Sequence, residues 1–313
     1  MDRYIHSMGS TYSRAAGIIY NCIDHRVMVT TFGNNIVGAF TGGQSVEAIY
    51  TGSVKVWPSE PVPSGSYYIK WWPKDLSGSF TIGGEARWLQ DYNGYYSGPF
   101  ISSGWSASNR GYCLDNEAFR STGVVAVETN LDVLGYRAFG DCSSLVYISA
   151  SRCVYLWRND NRYANTFVRC TSLRSVYFAN LSYTGMGTFS GCSNLFDVYL
   201  PNCSNTGEYC VWNCINFPFI ELPKCNIVDN NTFESCSNLR EVYLPVCSYI
   251  GESAFNHCIN LETLVLGYSG VCSGLGLTSY QSVISIYVPL EWVSEYKSRY
   301  TGRASMIFPI PHE

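Results

Sequence analysis

A constant step of 22 residues between cysteines restricts the fold of this chain more than any other feature. The step separates Cys170, Cys192, Cys214, Cys236 and Cys258. A second column lies three residues before each cysteine, at Phe167, Phe189, Val211, Phe233 and Phe255. A constant step indicates a repeat, whereas disulfide frameworks are irregularly spaced. One such unit cannot close a core by itself, so the units must stack.

The unit that begins at Phe233 shows how each repeat folds. Val242 and Leu244 are two residues apart, so they point to one face of a short strand. Phe233, Cys236 and Leu239 are three apart, which predicts a helical or 3₁₀ turn on the opposite wall. The prolines that follow the strands, Pro201, Pro223 and Pro245, end the pairing. The pattern extends over about seven rungs, from Phe119 to Pro289, with extra residues around 157–162.

The register resembles the leucine-rich repeat, and within it the BspA-like family. From Leu239 the unit reads L-x-x-V-x-L-x-x-C-x-x-I. The BspA-like resemblance is carried by Ala138-Phe139-x-x-Cys142-Ser-Ser-Leu145, Phe189-Ser-Gly-Cys192-Ser-Asn-Leu195, Tyr243-Leu244-Pro245, Ile250-Gly251-Glu-Ser-Ala254-Phe255 and a tail with Val288-Pro289 and Trp292. Leu181 and Ser269 stand where other rungs have a second cysteine, and Val211 and Phe217 replace Phe and Leu. The resemblance covers residues 115–313 and implies surface adhesins or parts of phage particles, with no catalytic residue set.

The predicted fold class is mainly β with short helical or 3₁₀ turns. A leucine-rich-repeat solenoid with a parallel sheet spans 115–288, and a C-terminal cap spans 289–313. Residues 1–58 are predicted to form an attachment region, whose hairpin at 45–58 resembles segments of gut-phage virion proteins. Residues 59–114 read as a small β-rich domain with short strands, and residues 92–105 as an exposed loop.

Composition excludes several functions. Only 14% of the residues are charged and the net charge is -4, which argues against nucleic-acid binding. No window is apolar enough for a membrane span, so membrane insertion is not expected. The chain, which has an initial Met, shows no signal for secretion, although a mature form without its signal would look the same. No cofactor motif is found.

The cysteines and His257 are the candidates for chemistry. Cys203, Cys210 and Cys214 form the best metal cluster, but two of them occupy repeat positions and the paired short spacings of zinc sites are missing. Disulfides between rungs would need converging side chains, whereas equivalent side chains in stacked rungs are parallel. Free buried thiols are therefore favoured, and no metal site is predicted. His257 lies at a variable position, which favours an exposed residue over a catalytic one.

The predicted binding residues lie on the outer face of the sheet. The residue between the two inward strand positions must point outward. This position gives the predicted binding set Tyr177, Tyr199, Glu221, Tyr243 and Tyr287. The alternative is that these tyrosines only stack across strands and stabilise the sheet. A second set, predicted for attachment or oligomerisation, is Tyr50, Trp57, Trp71 and Trp72.

These features predict a non-enzymatic structural and recognition protein on a phage particle, of tail, fibre or similar type. Its expected partners are other virion proteins, copies of itself, and a host-surface glycan or protein. The main alternative is a bacterial cell-surface adhesin of the same repeat family. An enzyme within residues 59–113 is the third and least favoured interpretation.

Overall fold

The computed structural model describes the backbone of residues 27–32, 35–41, 49–51 and 54–57. It describes backbone and side chains of 67–72, 76–82, 84–98, 100, 112–156, 164–267, 269–278 and 284–311. The chain divides into two compact units, residues 1–66 and 67–313. In the first, β1 (Val27–Phe32) pairs with β2 (Asn35–Thr41), and β3 (Ile49–Thr51) with β4 (Val54–Trp57), both antiparallel. The β3–β4 pair is the hairpin that the sequence predicts.

The second unit begins with four strands that cover the first rung of the repeats. They are β5 (Ile69–Trp72), β6 (Ser79–Ile82), β7 (Glu85–Trp88) and β8 (Tyr95–Tyr96), with a 3₁₀ turn at Leu89–Tyr92. Strand β5 pairs antiparallel with β8 and with the first long strand of the solenoid. Trp71 is fully buried between Phe80 and Phe119, with ring centroids 5.3 and 5.6 Å away. These residues therefore cap the repeat core.

This cap differs from the small domain expected at 59–114. Its described residues share one hydrophobic core with the repeats, and the boundary between compact units lies at 66/67. The expectation of an exposed loop at 92–105 is wrong for its described part. Tyr96 belongs to β8, and Tyr96 and Phe100 are buried in an edge-to-face contact. A Gly-rich segment with several rings is typical of an exposed loop, but here the Tyr96 and Phe100 rings fill the cap.

From residue 113 onward, the chain alternates between short and long parallel strands. The strands are β9 (Cys113–Leu114), β10 (Ala126–Thr129), β11 (Val133–Leu134), β12 (Tyr147–Ala150), β13 (Tyr155–Leu156), β14 (Ser175–Tyr177), β15 (Asp197–Tyr199), β16 (Phe219–Glu221), β17 (Ile227–Val228), β18 (Glu241–Leu244), β19 (Tyr249–Ile250), β20 (Thr263–Leu266) and β21 (Ser285–Val288). The long strands form the main sheet, and the short ones line a second wall. The predicted fold class, a leucine-rich-repeat solenoid with a parallel sheet, is confirmed.

The core of the solenoid is built from the predicted columns. Val242 and Leu244 are 1% and 0% exposed, as the inward strand positions require. Phe233 stacks on Phe255 of the next rung, with centroids 5.5 Å apart and planes 5° from parallel. Stacked rings gain energy beyond the area that they bury. The column continues as a stack through Phe119, Phe139, Phe167 and Phe189.

The cysteines form two hydrogen-bonded columns, and all thirteen that the structure describes are free and buried. In the first column, each thiol donates to a backbone carbonyl of the preceding rung, at the position that Phe occupies in most rungs. Examples are Cys258 to Phe233 at 3.0 Å and Cys236 to Val211 at 3.0 Å. In the second, the thiol donates to a turn carbonyl two residues later, as Cys247 does to Tyr249 at 3.2 Å. The packing role predicted for Cys247 is confirmed, and the bond across rungs adds to it.

One rung interrupts the main sheet. Strands β15, β14, β12 and β10 form one sheet with the cap strands β5 and β8, and β16, β18, β20 and β21 belong to another. Pro218 lies at the junction between the two sheets. The equivalent residues of the neighbouring rungs, Phe196 and Arg240, each donate a backbone N–H to the preceding rung. Proline has no N–H and cannot make this bond. The irregularity expected from Val211 and Phe217 in this rung therefore takes the form of a divided sheet.

The C-terminal residues close the other end. A 3₁₀ turn (Leu290–Trp292), helix α1 (Val293–Arg299), a second 3₁₀ turn (Thr301–Met306) and β22 (Ile307–Pro309) follow β21. Strand β22 pairs parallel with β21. The buried Tyr296 hydroxyl accepts a 2.8 Å hydrogen bond from the Cys272 N–H, so helix α1 fixes the irregular segment between β20 and β21.

That segment brings the Cys272 thiol within hydrogen-bonding reach of Cys247. The second-cysteine position of this rung is thus filled by Cys272, three residues after the predicted Ser269.

Candidate recognition surface

The outer face of the main sheet carries two rows of side chains, set by the strand register. The first row contains Trp72, Ala126, Tyr147, Ser175, Asp197, Phe219, Glu241, Thr263 and Ser285. The second row contains Lys70, Glu128, Ser149, Tyr177, Tyr199, Glu221, Tyr243, Val265, Tyr287 and Phe308. The predicted binding set lies in the second row. The first row was missed, although it lies two residues before the second in each strand.

The part of this face nearest the N-terminal cap is closed. Tyr147, Ser149, Ser175 and Tyr177 are all buried. The prediction that Tyr177 offers an exposed binding surface is therefore wrong, because pointing away from the core does not guarantee contact with water. Instead, Tyr177 stacks on Tyr199 with ring centroids 4.8 Å apart and planes 6° from parallel. For this pair, the cross-strand stabilisation that the sequence left open is present.

The rest of the face, from Asp197 and Tyr199 to Phe308, is accessible, and we call it the open half. Tyr199, Glu221, Tyr243 and Tyr287 are each partly exposed. Phe219 and Phe308 are 39% and 42% exposed, which is unusual for aromatic side chains on a regular sheet. Four of the five predicted binding residues thus share one accessible surface with two further rings. Strands hold these side chains in fixed positions, which lowers the entropy that a partner must remove.

Carboxylates of the first row alternate with this aromatic surface. Glu241 is paired with Phe219 on the next strand, and Asp197 holds the same repeat position one rung earlier, across the break in the sheet. The surrounding protein raises the pKa of Asp197 to about 7 through burial. The pKa of Glu241 is raised by burial first and by the nearby Glu262 second. Within the two rows as described, the open half has no lysine or arginine, and neither Asp197 nor Glu241 forms an ion pair.

Two polar atoms in the closed part of the outer face lack partners within the described structure. Ser175, the neighbour of Asp197 in the first row, is 2% exposed, and its hydroxyl makes no hydrogen bond. Glu128 accepts a 2.5 Å bond from the Tyr68 hydroxyl through Oε1, but its buried Oε2 accepts none. Burial of an unsatisfied polar group is costly. The outer face therefore contains buried polar groups that do not stabilise the sheet.

The second predicted set is not brought together. Trp71 is fully buried and Trp72 is 7% exposed, so the prediction that these two attach the protein to copies or partners is wrong. Strand β5 uses Trp71 to cover Phe119, which has no preceding rung. Tyr50 lies in β3 and Trp57 in β4, and their side chains are outside the described part.

The cysteine and histidine candidates show no catalytic geometry. Burial raises the pKa of Cys203 and of Cys210 to about 12, and a metal requires the thiolate form. Cys210 occupies the buried repeat position that Thr232 and Ala254 hold in the next two rungs. The sequence pattern alone gives this cysteine no packing role.

His257 is exposed and has φ +58°. Among the described residues no group of three metal-binding side chains is found, and no helix there could cross a membrane.

The raised pKa of Asp197 predicts a pH-dependent stability. An unfolded aspartate ionises near pH 4, so the unfolded chain releases a proton that the folded chain retains up to about 7. Stability is therefore lost as the pH rises between these values. Asp197→Asn removes the buried charge. We expect a higher Tm than wild type at about pH 8 and no difference at about pH 4. Thermal melts of both proteins, with the exposed Glu252→Gln as control, measure this, and a pH-independent difference would contradict it.

Comparisons with known proteins identify similar repeats. The model of the BspA type leucine rich repeat region matches residues 160–271 in six copies. A leucine-rich-repeat protein from Bacteroides ovatus is 25% identical, with a TM-score of 0.47; the match covers 56% of this chain and 45% of that one. The pneumococcal vaccine antigen PcpA is 15% identical, with a TM-score of 0.31, and the match covers 64% and 71% of the two chains.

A leucine rich cell surface protein from Faecalibacterium prausnitzii is 12% identical, with a TM-score of 0.22 and coverage of 82% and 96%. No curated protein matches the chain. The chain spans less than half of the length of the B. ovatus protein. Residues 160–271 thus carry repeats of the BspA type, which are typically non-catalytic.

Proposed function

We propose that this chain is a non-enzymatic recognition protein that presents the open half of its sheet to a partner at the surface of a particle or cell. The observation that carries the proposal is the exposure of aromatic rings on regular strands. Phe219 and Phe308 are about two-fifths exposed, and Tyr199, Tyr243 and Tyr287 are partly exposed beside them. Aromatic rings on a rigid scaffold are frequent anchors of interfaces.

The setting that we propose is a phage virion. The support is the resemblance of the β3–β4 hairpin to virion proteins of gut phages. This hairpin belongs to a separate compact unit, residues 1–66, which we assign to attachment. The alternative is a bacterial cell-surface adhesin, which the BspA-type repeats also support. Genes for portal, tail or capsid proteins beside the coding gene would favour the virion, and genes for export or cell-wall anchoring would favour the adhesin.

Replacement of two tyrosines tests the recognition role. We expect Tyr199→Ser with Tyr243→Ser to weaken attachment to host cells by about 1–3 kcal/mol, because interface anchors are lost. Neither side chain lies in the core, so the fold should persist. Binding of labelled protein to cells measures the effect, and circular dichroism verifies folding.

Tyr155 and Tyr249 provide the matched control, because they are exposed at 45% and 39% on the short-strand wall. Their replacement by Ser changes composition equally but leaves the open half intact. Equal attachment of the Tyr199/Tyr243 variant and wild type would limit those tyrosines to sheet stabilisation. Recognition would then have to be assigned to another surface.

A further inference from the structure

The open half has a charge pattern that specifies the chemistry of its partner. In the first row, Glu241 is paired with the exposed Phe219, and Asp197 occupies the same repeat position in the rung before Phe219. Glu221 lies on the same strand as Phe219 but in the second row, between Tyr199 and Tyr243. Carboxylates and aromatic rings therefore alternate along the face. From Asp197 and Tyr199 to Phe308, the two described rows contain no lysine or arginine.

One guanidinium offsets this charge only in part. Arg240, which directly precedes β18, forms its ion pair with Glu262, and its lowering effect on the pKa of Glu241 is smaller than the raising effects of burial and of Glu262. Asp197 has no charged neighbour that offsets its burial. Partly buried carboxylates without a counter-charge are unfavourable, and a cation supplied by a partner would relieve that cost. The unpartnered Ser175 hydroxyl adjoins Asp197 and adds a further unsatisfied polar group to this end of the face.

We propose that the open half docks a polypeptide segment that bears arginine or lysine side chains. An arginine can pair with a carboxylate through two parallel hydrogen bonds and can stack on an aromatic ring. Phe219 and Glu241, which are paired on neighbouring strands at a spacing of about 5 Å, offer both contacts. Acidic glycans and nucleic acids would be repelled by the same carboxylates. This inference rests on the proposed function, because it names the partner chemistry of the same surface.

Defined peptides test the proposal. The probe is a fluorescently labelled peptide of alternating arginine and serine, with a peptide of alternating glutamate and serine as its counterpart. Fluorescence anisotropy with the full chain at about pH 8, above the pKa of Asp197, should show binding of the arginine peptide only. Asp197→Asn with Glu241→Gln should weaken that binding at least about tenfold, which is the effect of losing one or two charge-assisted contacts. The affinity should also fall as salt is added.

A second charge-matched variant separates docking from general attraction. Glu252→Gln with Glu295→Gln removes the same formal charge from exposed positions outside the open half, and should leave peptide binding unchanged. Equal loss in both double variants, or unchanged binding in the Asp197/Glu241 variant, would overturn the proposal. Binding of a neutral oligosaccharide that depends on Tyr199 and Tyr243 but not on the carboxylates would also overturn it. In that last case the recognition function would stand and only the partner chemistry would change.

Discussion

Replacing Phe233 by Ala should destabilise the protein by about 3–5 kcal/mol, and replacing Leu244 by Ala by about 2–5 kcal/mol. Both side chains are at most 1% exposed. The Phe233 ring also fills the space between neighbouring rungs through its stack on Phe255. Its removal leaves a cavity that the repeating backbone, fixed on both sides by the next rungs, can close only in part.

The matched control is Arg240→Ala, two residues before Val242 on the same rung. Its ion pair with Glu262 is solvent-exposed, with 42% and 56% of the two side chains accessible. Exposed pairs contribute little, so the loss should be about 0.5 kcal/mol or less. Urea unfolding of the three variants measures these free energies. Losses of similar size for Arg240 and Leu244 would contradict the burial of Leu244 in the solenoid core.

The inward register could be predicted from sequence because it depends on local periodicity. Val242, Leu244 and Phe233 occupy positions at which spacing alone requires burial in a stack of identical units. The same reasoning places Cys236 on the wall opposite the strand. Each rung repeats this information, so an error in one would have been visible in its neighbours. The fold of the repeats was therefore determined almost completely by the pattern.

The accessibility of the outer face could not be predicted in this way. Tyr177 and Tyr243 occupy the same repeat position, yet Tyr177 is buried and Tyr243 is partly exposed. Position within a repeat specifies direction, whereas exposure depends on packing between distant segments. Trp71 illustrates the same limit, because a non-repeating residue gives no sign that it covers the end of a solenoid. In contrast, the divided sheet at Pro218 could have been predicted from the missing N–H.

The contact between successive rungs leads to a second large effect, at Gly207. A Cβ at this position would lie 2.1 Å from the carbonyl carbon of Gly185 and 2.4 Å from the nitrogen of Met186. Both are backbone atoms of the preceding rung, so no side-chain rotation can relieve the overlap. The rungs would have to separate locally, and hydrogen bonds such as that from the Gly187 N–H to the Glu208 carbonyl, at 2.9 Å, would be strained.

We therefore expect Gly207→Ala to destabilise the protein by about 3 kcal/mol or more, at the upper end of overpacking effects. The matched control is Gly302→Ala, because a Cβ there would have no neighbour within 4 Å. That change should have an effect of about 0.5 kcal/mol or less. Urea unfolding of both variants supplies the comparison. If the two proteins unfolded at the same urea concentration, the close approach of the rungs at Gly207 would not limit stability, and the stacking distance there would have to be larger than the structure shows. Gly135 and Gly251 occupy the equivalent position in other rungs, and a Cβ at either would also overlap backbone atoms of the preceding rung. The rung after Gly207 has Asp229 there instead, so the close approach recurs in several rungs but not in every one.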